Sequence, residues 1–324
     1  MIFDCHGDIW TDVTIQRSKG KKDVIKNRHL NRLRKGNIIG GIFVLWIDPP
    51  YNKNPEKRFM EMIGSTATEI IENQDILKIV LENEDFNKAL EEDKLAVVIG
   101  VEGLSGIGKN IDLINALYMF GVRHVSLTWN EENALATGVR GNPNRGLTKL
   151  GEKAISLIEE RGIIIDVSHA NDKSFWDIYE KTTKPFIASH SNCRKLCNVK
   201  RNLTDEQLKA ISHKGGLVGL NSFNEFVHPD KDKRDLKHLV DHLDHMVEII
   251  GIDHICFGFD FFDFLKNDTT DDFVEEDTVA TLGFENVSKT QDLINEMIMR
   301  GYSNEDIKKI SYKNFYKFIK EILV

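Results

Sequence analysis

The chain has 324 residues, with 43 Lys and Arg against 51 Asp and Glu, so its formal net charge at pH 7 is −8. This acidic balance excludes a protein that coats nucleic-acid backbones, which needs clustered positive charge. Hydrophobic segments recur along the chain, yet no stretch approaches the ~18 uninterrupted apolar residues of a membrane span, so we expect a folded protein that binds neither nucleic acid nor membranes.

Short apolar, β-branched runs alternate with segments of helical periodicity along the whole chain. The runs are hydrophobic at successive positions, as are strands that are buried on both faces of a parallel sheet. The predicted strands are 2–5, 38–45, 95–101, 122–127, 163–167, 186–189, 216–220 and 255–258. The predicted helices are 56–81, 111–120, 148–161, 172–182, 204–213, 235–250, 285–299 and 304–322. Thr204 is the expected N-cap of the helix that follows it.

The number and order of these elements indicate the fold. Eight strands that alternate with helices, without a Pro/Gly-rich linker, predict an α/β protein, a (β/α)8 TIM barrel with extra C-terminal helices. We expect residues 1–324 to form a single domain. An open, doubly wound sheet is the alternative, because alternation alone does not distinguish a closed sheet from an open one. The acidic run 268–277 is expected to form a solvated loop or a lid after the last strand.

The cysteines and the two ends of the sequence predict where in the cell the protein is located. The four cysteines are scattered and form no Cys-x-x-Cys pair. The N-terminal residues MIFDCH lack the basic and apolar regions of a secretory signal, and the C-terminal helix lacks the hydrophobic tail of a lipid-anchor signal. These features predict a cytoplasmic protein with reduced thiols.

Side chains that bind metal ions follow five of the predicted strands. His6 and Asp8 stand two residues apart at the end of the first strand, where alternation would place both on one side and Cys5 on the other. The third, fifth, sixth and eighth strands end in Glu102, His169, His190 and Asp260. In a parallel barrel these positions meet at one rim, where such enzymes build their active sites. The pattern predicts a site for divalent ions, with enough ligands for two metals that share one bridging carboxylate.

Several segments occur in the order of a known family. Between residue 4 and about residue 262 they read DCHGD, LRKGNIIGGIFVLW, VIGVEG, GVRHVSLTWN, GLTKLGEKAISLIEERGIIIDVSH, ASHSN, KRNLTDEQL and DHLDHMVEIIGIDHICFGFDF. In this combination the chain resembles the membrane (renal-type) dipeptidases, metallopeptidase family M19 of the amidohydrolase-like barrels. The resemblance implies a metal-dependent hydrolase that cleaves small dipeptides. Whether a D-residue is accepted at the second position is left open.

The resemblance also implies a set of metal ligands. His6 and Asp8 correspond to the ligands of one zinc ion. His169 and His190 correspond to those of a second ion, and Glu102 to the carboxylate that bridges both. The implied cofactor is therefore two Zn²⁺, although Mn²⁺ or Co²⁺ suit the same donors.

Four further residues are implied to act on the substrate. Asp260 matches the carboxylate that serves first as general base and then as general acid. Arg201 matches the arginine that receives the terminal carboxylate of the dipeptide. Trp129 replaces a histidine of the animal enzymes, and indole donates but does not accept a proton. Stabilisation of the transition state is thus expected to be weaker or to pass to Asn130. Family members are often dimers, so a homodimer is a further expectation.

Other functions fit parts of the sequence. The substitution at Trp129 leaves open a binuclear-metal hydrolase of another small amide, lactam or ester, and a metal-retaining binding protein without catalysis is a further alternative.

Segment 103–110 nearly matches a phosphate-binding loop, but Asn110 stands where a Ser or Thr would hold magnesium. His242 and His245, three residues apart on a predicted helix, could bind a metal on one face, although we expect them to be packed or hydrogen-bonded instead.

Overall fold

The computed structural model describes residues 1–265 and 280–323 of the chain. The acidic run 268–277, which we expect to be a loop or lid, lies outside these described residues. None of the helices in the described part is both long and apolar enough to cross a membrane.

A parallel sheet forms the centre of the described structure. Its eight strands are β1 (Ile2–Gly7), β2 (Ile38–Trp46), β3 (Leu77–Ile79), β4 (Leu95–Glu102), β5 (Val122–Ser126), β6 (Ile164–Asp166), β7 (Val218–Leu220) and β8 (Ile255–Phe257). They pair in the order β6-β5-β4-β2-β1-β8-β7, and β3 pairs with β4. The pairs are parallel, as is typical of strands joined by helical crossovers. The predicted α/β class is confirmed.

The sixth predicted strand, 186–189, is extended but pairs only through single bridges. Parallel bridges join its Ile187 to Asp166 in β6 and its Ala188 to Val218 in β7. Backbone hydrogen bonds of 2.8 Å support both bridges. The segment therefore connects the two strands that stand at the ends of the pairing order.

Two glycines allow segment 186–189 to approach the last two strands. A Cβ atom on Gly219 would lie 1.8 Å from the carbonyl oxygen of Ser189, and one on Gly258 would lie 1.7 Å from the same oxygen. Neither position could carry a side chain unless the backbone of the segment moved, so the close approach depends on both glycines.

The predicted helix 56–81 is wrong in its second part. The helix α3 (Pro55–Glu72) ends at Asn73, and the following apolar residues form β3. This short strand pairs with residues 95–97 at the amino end of β4. Pairing of β4 with β5 begins further along the strand, at Ile99. Residues 77–79, which the sequence predicts as part of a helix, thus form hydrogen bonds with backbone groups along this edge of β4.

Helices pack along the sheet. They are α1 (Ile9–Ser18), α2 (Leu30–Lys35), α3 (Pro55–Glu72), α4 (Asn83–Glu91), α5 (Leu113–Phe120), α6 (Lys149–Glu160), α7 (Asp172–Lys181), α8 (Asp205–His213), α9 (Leu236–Ile250), α10 (Thr290–Met299), α11 (Asn304–Lys308) and α12 (Asn314–Ile322). The other predicted helices are confirmed, whereas α1, α2 and α4 have no counterpart among the predicted elements. Thr204 and Gln207 form a reciprocal capping box at the start of α8, which confirms the predicted N-cap.

The two faces of the sheet have different surroundings. The face that we call the inner face carries Phe3, Ile42, Val44, Trp46, Ala96, Val98 and Glu102. At the amino ends of the strands, α12 covers this face, and Phe315 stacks on Phe3 with ring centroids 4.4 Å apart. The inner face is therefore apolar at the amino ends of the strands and polar at their carboxyl ends.

A bulge in β1 turns His6 toward the inner face. Between Asp4 and Gly7, three residues of β1 advance against two of β2. Cys5 and His6 consequently lie on the same side, and Cys5 packs into the apolar cluster of the inner face. The prediction that Cys5 lies on the opposite side of the strand from His6 is wrong, because strict alternation does not hold across a bulge.

Candidate active site

Side chains at the carboxyl ends of the strands enclose a cavity of about 270 Å³. The predicted residues that line it are Asp8, Glu102, Trp129, Asn130, His169, Arg201 and Asp260. His6 and His190 lie directly beneath it and are almost completely buried. The structure therefore brings together every residue that the sequence places in the site.

Three histidines direct their Nε2 atoms at one carboxylate. The Oε1 atom of Glu102 lies 2.8 Å from Nε2 of His169, 3.4 Å from that of His190 and 3.6 Å from that of His6. The Nε2 atoms of His169 and His190 are 2.9 Å apart. Imidazole nitrogens and a carboxylate oxygen at this spacing are donors that a zinc ion accepts.

The ligand atoms form two overlapping groups in the described structure. Within each group they all lie within 4.8 Å of one another, and the groups are His6, Glu102 and His190, and His6, Asp8 and Asp260. Nε2 of His6 and Oδ1 of Asp8 are buried without a hydrogen-bond partner. Buried polar atoms rarely lack partners, and a cation would satisfy both. The residues present therefore fit divalent metal ions.

Burial and crowding shift the pKa values of the three carboxyl groups. Burial and the charge of Glu102 raise the pKa of Asp8 well above its usual range. Burial raises the pKa of Asp260 to about 6, against the opposing effect of His6. For Glu102 the effect of burial is outweighed by His6 and His169, which hold its pKa well below the usual range. Buried carboxylates this close together repel one another unless cations lie between them.

Two residues of the site have a left-handed backbone conformation. The φ angle is +69° at His169 and +59° at Asp260. Residues other than glycine rarely adopt such angles, and the strain costs roughly 1–3 kcal/mol per residue. The N–H of Asp260 donates to the carbonyl oxygen of His6 over 3.3 Å, which holds the end of β8 against β1. The strained backbone directs both side chains to the cavity.

Arg201 is a cation buried in the cavity wall, with 7% of its surface exposed. It donates hydrogen bonds to Oγ of Ser191 over 3.0 Å and to the carbonyl oxygen of His190 over 3.1 Å. Its Nε atom is buried without a partner, and burial lowers its pKa. Both hydrogen-bond acceptors are neutral, and the charges of Asp260 and Glu102 only partly offset the effect of burial on the pKa of Arg201. A guanidinium in this position can bind an anion in the cavity.

Trp129 and Asn130 form the wall next to His169. The ring centroid of Trp129 lies 5.4 Å from that of Trp46 and 6.0 Å from that of His169. The Oδ1 atom of Asn130 lies 2.8 Å from Nδ1 of His169. Asn130 therefore contacts a predicted metal ligand in addition to the cavity.

Asn221 and Trp46 also belong to the site, although neither is predicted from the sequence. Asn221 follows β7, and its Nδ2 donates to Oδ2 of Asp260 over 3.1 Å. Trp46 is the last residue of β2 and lines the cavity. Both stand at the carboxyl end of a strand, so the rule that identifies the metal-binding residues could have identified them as well.

Segment 103–110 does not have the shape of a phosphate-binding loop. It contains a 3₁₀ turn at Leu104–Ile107, and α5 begins only at Leu113. In a phosphate-binding loop the helix starts directly at the Lys-Ser/Thr end, where its N–H groups face the phosphates. The described geometry therefore gives no support to the nucleotide-binding alternative.

A family model and a known relative match most of the chain. The family model "Membrane dipeptidase (Peptidase family M19)" matches residues 1–323. An uncharacterised protein in the pqqA 5′ region of Klebsiella pneumoniae is 34% identical over 257 residues, which cover 76% of this chain and 89% of that protein.

Two solved structures share the fold. The dipeptidase AC, a metallopeptidase of family M19, has a TM-score of 0.86 at 23% identity, and the match covers 99% of this chain and 98% of that one. A metallopeptidase from Rhodobacter sphaeroides, liganded with a phosphinate mimic of the dipeptide L-Ala-D-Ala, has a TM-score of 0.86 at 22% identity and 99% coverage of both chains. These two similarities show the fold, and the family model, which spans almost every residue, shows that the chain belongs to the membrane dipeptidase family, peptidase family M19.

Proposed function

We propose that this protein is a binuclear, zinc-dependent dipeptidase. The observation that carries the proposal is the convergence of three histidines on Glu102 in a small cavity whose wall contains the buried cation Arg201. Membership of the family supports the activity. The Rhodobacter sphaeroides relative was solved with a mimic of L-Ala-D-Ala, so dipeptides with a D-residue at the second position are included among the proposed substrates.

The proposed metal ligands divide into two sets that share one residue. His6 and Asp8 would hold one ion, His169 and His190 would hold the other, and Glu102 would bridge both. The buried, unpartnered atoms of His6 and Asp8 support this assignment. Bound zinc polarises a carbonyl group and lowers the pKa of water toward ~7. Zinc is the metal that we propose, and Mn²⁺ or Co²⁺ are the alternatives with the same donors.

Asp260 is the proposed general base and general acid. Its carboxylate would accept a proton from the attacking water and return it to the amine of the departing amino acid. Burial raises its pKa, which is the direction that favours the return of a proton to the departing amine. Asn221 donates to Oδ2, and Oδ1 lies 3.8 Å from Nε2 of His6, so the carboxylate is held between a fixed donor and the proposed metal site.

Arg201 is the proposed binding group for the terminal carboxylate of the substrate. A guanidinium matches a carboxylate through two parallel hydrogen bonds. In a longer peptide an uncharged amide would take the place of that carboxylate, so the guanidinium would favour dipeptides over longer peptides. We also propose that Trp129 and Asn130 contact the substrate near the scissile group.

We further propose that the sheet closes into a (β/α)8 barrel and that residues 1–324 form one domain. The bridges of Ile187 and Ala188 between β6 and β7 support closure. The stacking of Phe315 on Phe3, near opposite ends of the chain, supports a single domain. A cytoplasmic location is part of the proposal, because all four cysteines are unpaired, which suits a reducing compartment.

One alternative function has an observation in its favour. Trp129 occupies the position of a family histidine and forms an aromatic wall with Trp46. An indole cannot accept a proton from a substrate, so a different small amide, a lactam or an ester is the alternative substrate of the same metal site.

Amino-acid release from a panel of L-L and L-D dipeptides tests the proposal. We expect the zinc-loaded protein, but not a chelated sample, to cleave dipeptides and to spare tripeptides and amidated dipeptides. The variant Arg201→Gln should raise KM for dipeptides and reduce the discrimination against amidated ones. Failure of the wild type to cleave any dipeptide while two zinc ions are bound would contradict the dipeptidase assignment and favour the alternative substrates.

A further inference from the structure

The three cavity histidines share one orientation. Each directs Nε2 toward Glu102, so Nδ1 lies on the far side of each ring. A neutral imidazole carries its proton on one nitrogen and offers a lone pair on the other. Binding of a metal through Nε2 therefore requires the proton to reside on Nδ1, and whatever contacts Nδ1 decides whether that tautomer is favoured.

The side chain of Asn130 provides an acceptor for His169. Oδ1 of Asn130 lies 2.8 Å from Nδ1 of His169. The carbonyl oxygen of Asn130 accepts the N–H of Arg140 over 2.9 Å, and the carbonyl oxygen of His169 accepts the N–H of Val139 over 2.9 Å. The segment 138–140 thus ties the two residues together through their backbones, so the contact between their side chains is supported from both ends.

The hydroxyl of Ser189 provides an acceptor for the other two histidines. Its Oγ lies 2.7 Å from Nδ1 of His190 and 3.5 Å from Nδ1 of His6. A serine hydroxyl has one proton to donate and two lone pairs with which to accept. Ser189 can therefore accept from His190 only if its own proton points elsewhere.

Asp166 takes that proton. Its Oδ2 accepts from Oγ of Ser189 over 2.5 Å and lies 3.0 Å from Nε2 of His124. Its Oδ1 accepts the N–H groups of Ser168 over 2.8 Å and Ser189 over 3.0 Å. An ionised carboxylate accepts hydrogen bonds and donates none. The proton of Ser189 thus points to Asp166, which leaves its lone pairs for the imidazoles.

We propose that Asn130 and Ser189 are positioning residues that hold the cavity histidines in the Nδ1-protonated tautomer, with Nε2 free to bind metal. The inference rests on the proposed metal site but not on the identity of the substrate. The two residues contact different ligands. Among the cavity histidines, Asn130 contacts only His169, a ligand of one proposed ion. Ser189 contacts His190, a ligand of the same ion, over 2.7 Å and His6, a ligand of the other ion, over 3.5 Å. Loss of Asn130 would therefore loosen one ion, and loss of Ser189 would loosen both.

Zinc affinity, measured without substrate, tests the proposal. Each variant is loaded with two zinc ions and titrated with a chromophoric chelator, and circular dichroism checks its fold. We expect Ser189→Ala to weaken zinc binding about 10–100-fold, the usual effect of removing such a partner. Asn130→Leu should weaken one of the two ions by a similar factor and leave the other within about twofold, and Asn130→Asp, which keeps the acceptor, should restore it.

Ser191→Ala is the matched control. Its hydroxyl accepts from Arg201 rather than from a histidine, so the variant should keep its zinc affinity although dipeptide binding weakens. Unchanged zinc affinity in a folded Ser189→Ala protein would overturn the proposal for Ser189. For Asn130→Leu, a raised KM with unchanged zinc affinity would overturn the positioning role and assign Asn130 to the substrate alone.

Nitrogen NMR of the histidine rings provides a measurement that needs no variant. In the zinc-loaded wild type, we expect protonated Nδ1 atoms and metal-bound Nε2 atoms for all three histidines. Metal bound through Nδ1 would overturn the inference. A wild type that binds two zinc ions in this way but cleaves no dipeptide would contradict the proposed function alone, whereas a wild type that binds no zinc would contradict both.

Discussion

The histidines at the cavity and the histidines buried elsewhere in the described structure satisfy their ring nitrogens in different ways. At the cavity, His6, His169 and His190 direct Nε2 at the single carboxylate of Glu102. One oxygen atom cannot serve three imidazoles equally, and Nε2 of His6 has no hydrogen-bond partner. At the cavity, Nε2 of His6 therefore remains available to bind a metal ion.

In each of the other buried histidines at least one ring nitrogen has a partner outside the cavity, although Nδ1 of His29 and Nδ1 of His124 have none among the described residues. Nε2 of His29 and Nε2 of His124 lie within 3.0 Å of an aspartate carboxylate. Nδ1 of His242 accepts the N–H of Cys193 over 3.0 Å, and its Nε2 lies 2.7 Å from the carbonyl oxygen of Val227. Burial alone thus says little about metal binding by a histidine. What distinguishes the cavity histidines is that all three direct Nε2 at the same carboxylate, that of Glu102.

The largest effect is expected for the carboxylate on which the cavity histidines converge. Glu102→Gln removes the negative charge between the two proposed ions, so we expect zinc and dipeptidase activity to be lost together, to the level of the chelated wild type. Zinc content and turnover are measured on the same sample. Glu131→Gln is the matched control, because Glu131 is a half-buried glutamate outside both ligand groups. Retention of two zinc ions by the Glu102 variant would contradict the bridging role.

The next largest effect is expected for the general base. Asp260→Asn removes proton transfer but leaves the bridging carboxylate and the histidines in place, so kcat should fall by about 10²–10⁴-fold while most of the zinc is retained. Steady-state kinetics at saturating dipeptide and metal analysis check this expectation. Near-normal turnover by the variant would rule out Asp260 as the group that moves the proton.

A smaller effect, on stability alone, is expected for a histidine outside the cavity. Burial lowers the pKa of His242 to about 4, against ~6.5 in an unfolded chain. Between these two values the unfolded chain binds the proton more readily than the folded protein. The stabilisation by neutral His242 is therefore complete above pH ~6.5. It is lost as the pH falls toward 4, which lowers the free energy of unfolding by about 3 kcal/mol in total. In His242→Gln, urea unfolding should therefore depend less on pH between 4 and 7.

Zinc content and turnover at neutral pH serve as controls for this variant. Both should stay at the wild-type level in the folded protein, because His242 lies on α9 and contributes to neither ligand group. Loss of a zinc ion in His242→Gln would revive the alternative in which His242 and His245 bind a metal together. If the free energy of unfolding of His242→Gln fell between pH 7 and pH 4 by the same amount as that of the wild type, the assigned pKa of His242 would be wrong.

The smallest effect is expected for His245. Its Nε2 lies 2.8 Å from Oδ1 of Asp205 in a partly buried pair between α9 and α8. A hydrogen bond of this kind contributes about 0.5–1.5 kcal/mol to stability. His245→Gln should therefore change the free energy of unfolding by no more than that and leave zinc content unchanged. A larger loss of stability would show that the pair is more strongly coupled to the packing of α8 than its exposure indicates.

The amino-acid sequence by itself determines which residues can form the sheet and which can form the site. The apolar runs that become β1, β2 and β4 to β8 are recognisable because both faces of these strands are buried, and the pattern is local. Glu102, His169, His190 and Asp260 are recognisable because each follows such a run directly. These features depend on neighbouring residues in the chain, so one sequence is enough to predict them.

Register and pairing depend on residues that are distant in the chain. The bulge between Asp4 and Gly7 is set by the pairing of β1 with β2, and it places Cys5 and His6 on the same face against the expected alternation. β3 forms where a helix is predicted, because an edge of β4 is available to it. Segment 186–189 pairs only through single bridges, although its composition resembles that of the other strands.

The partners of the site residues are likewise decided by the tertiary structure. Asn130 is predicted as a substrate residue, yet its Oδ1 contacts Nδ1 of His169. Asn221 donates to Asp260 from the end of another strand. Ser189 links Asp166 of β6 to the ring of His190. Such contacts join residues up to 183 positions apart in the chain, as between Ser189 and His6. The sequence therefore determines the chemical groups at the strand ends, whereas only the fold decides which nitrogen or oxygen of each group faces the cavity, because that depends on neighbours that local patterns do not specify.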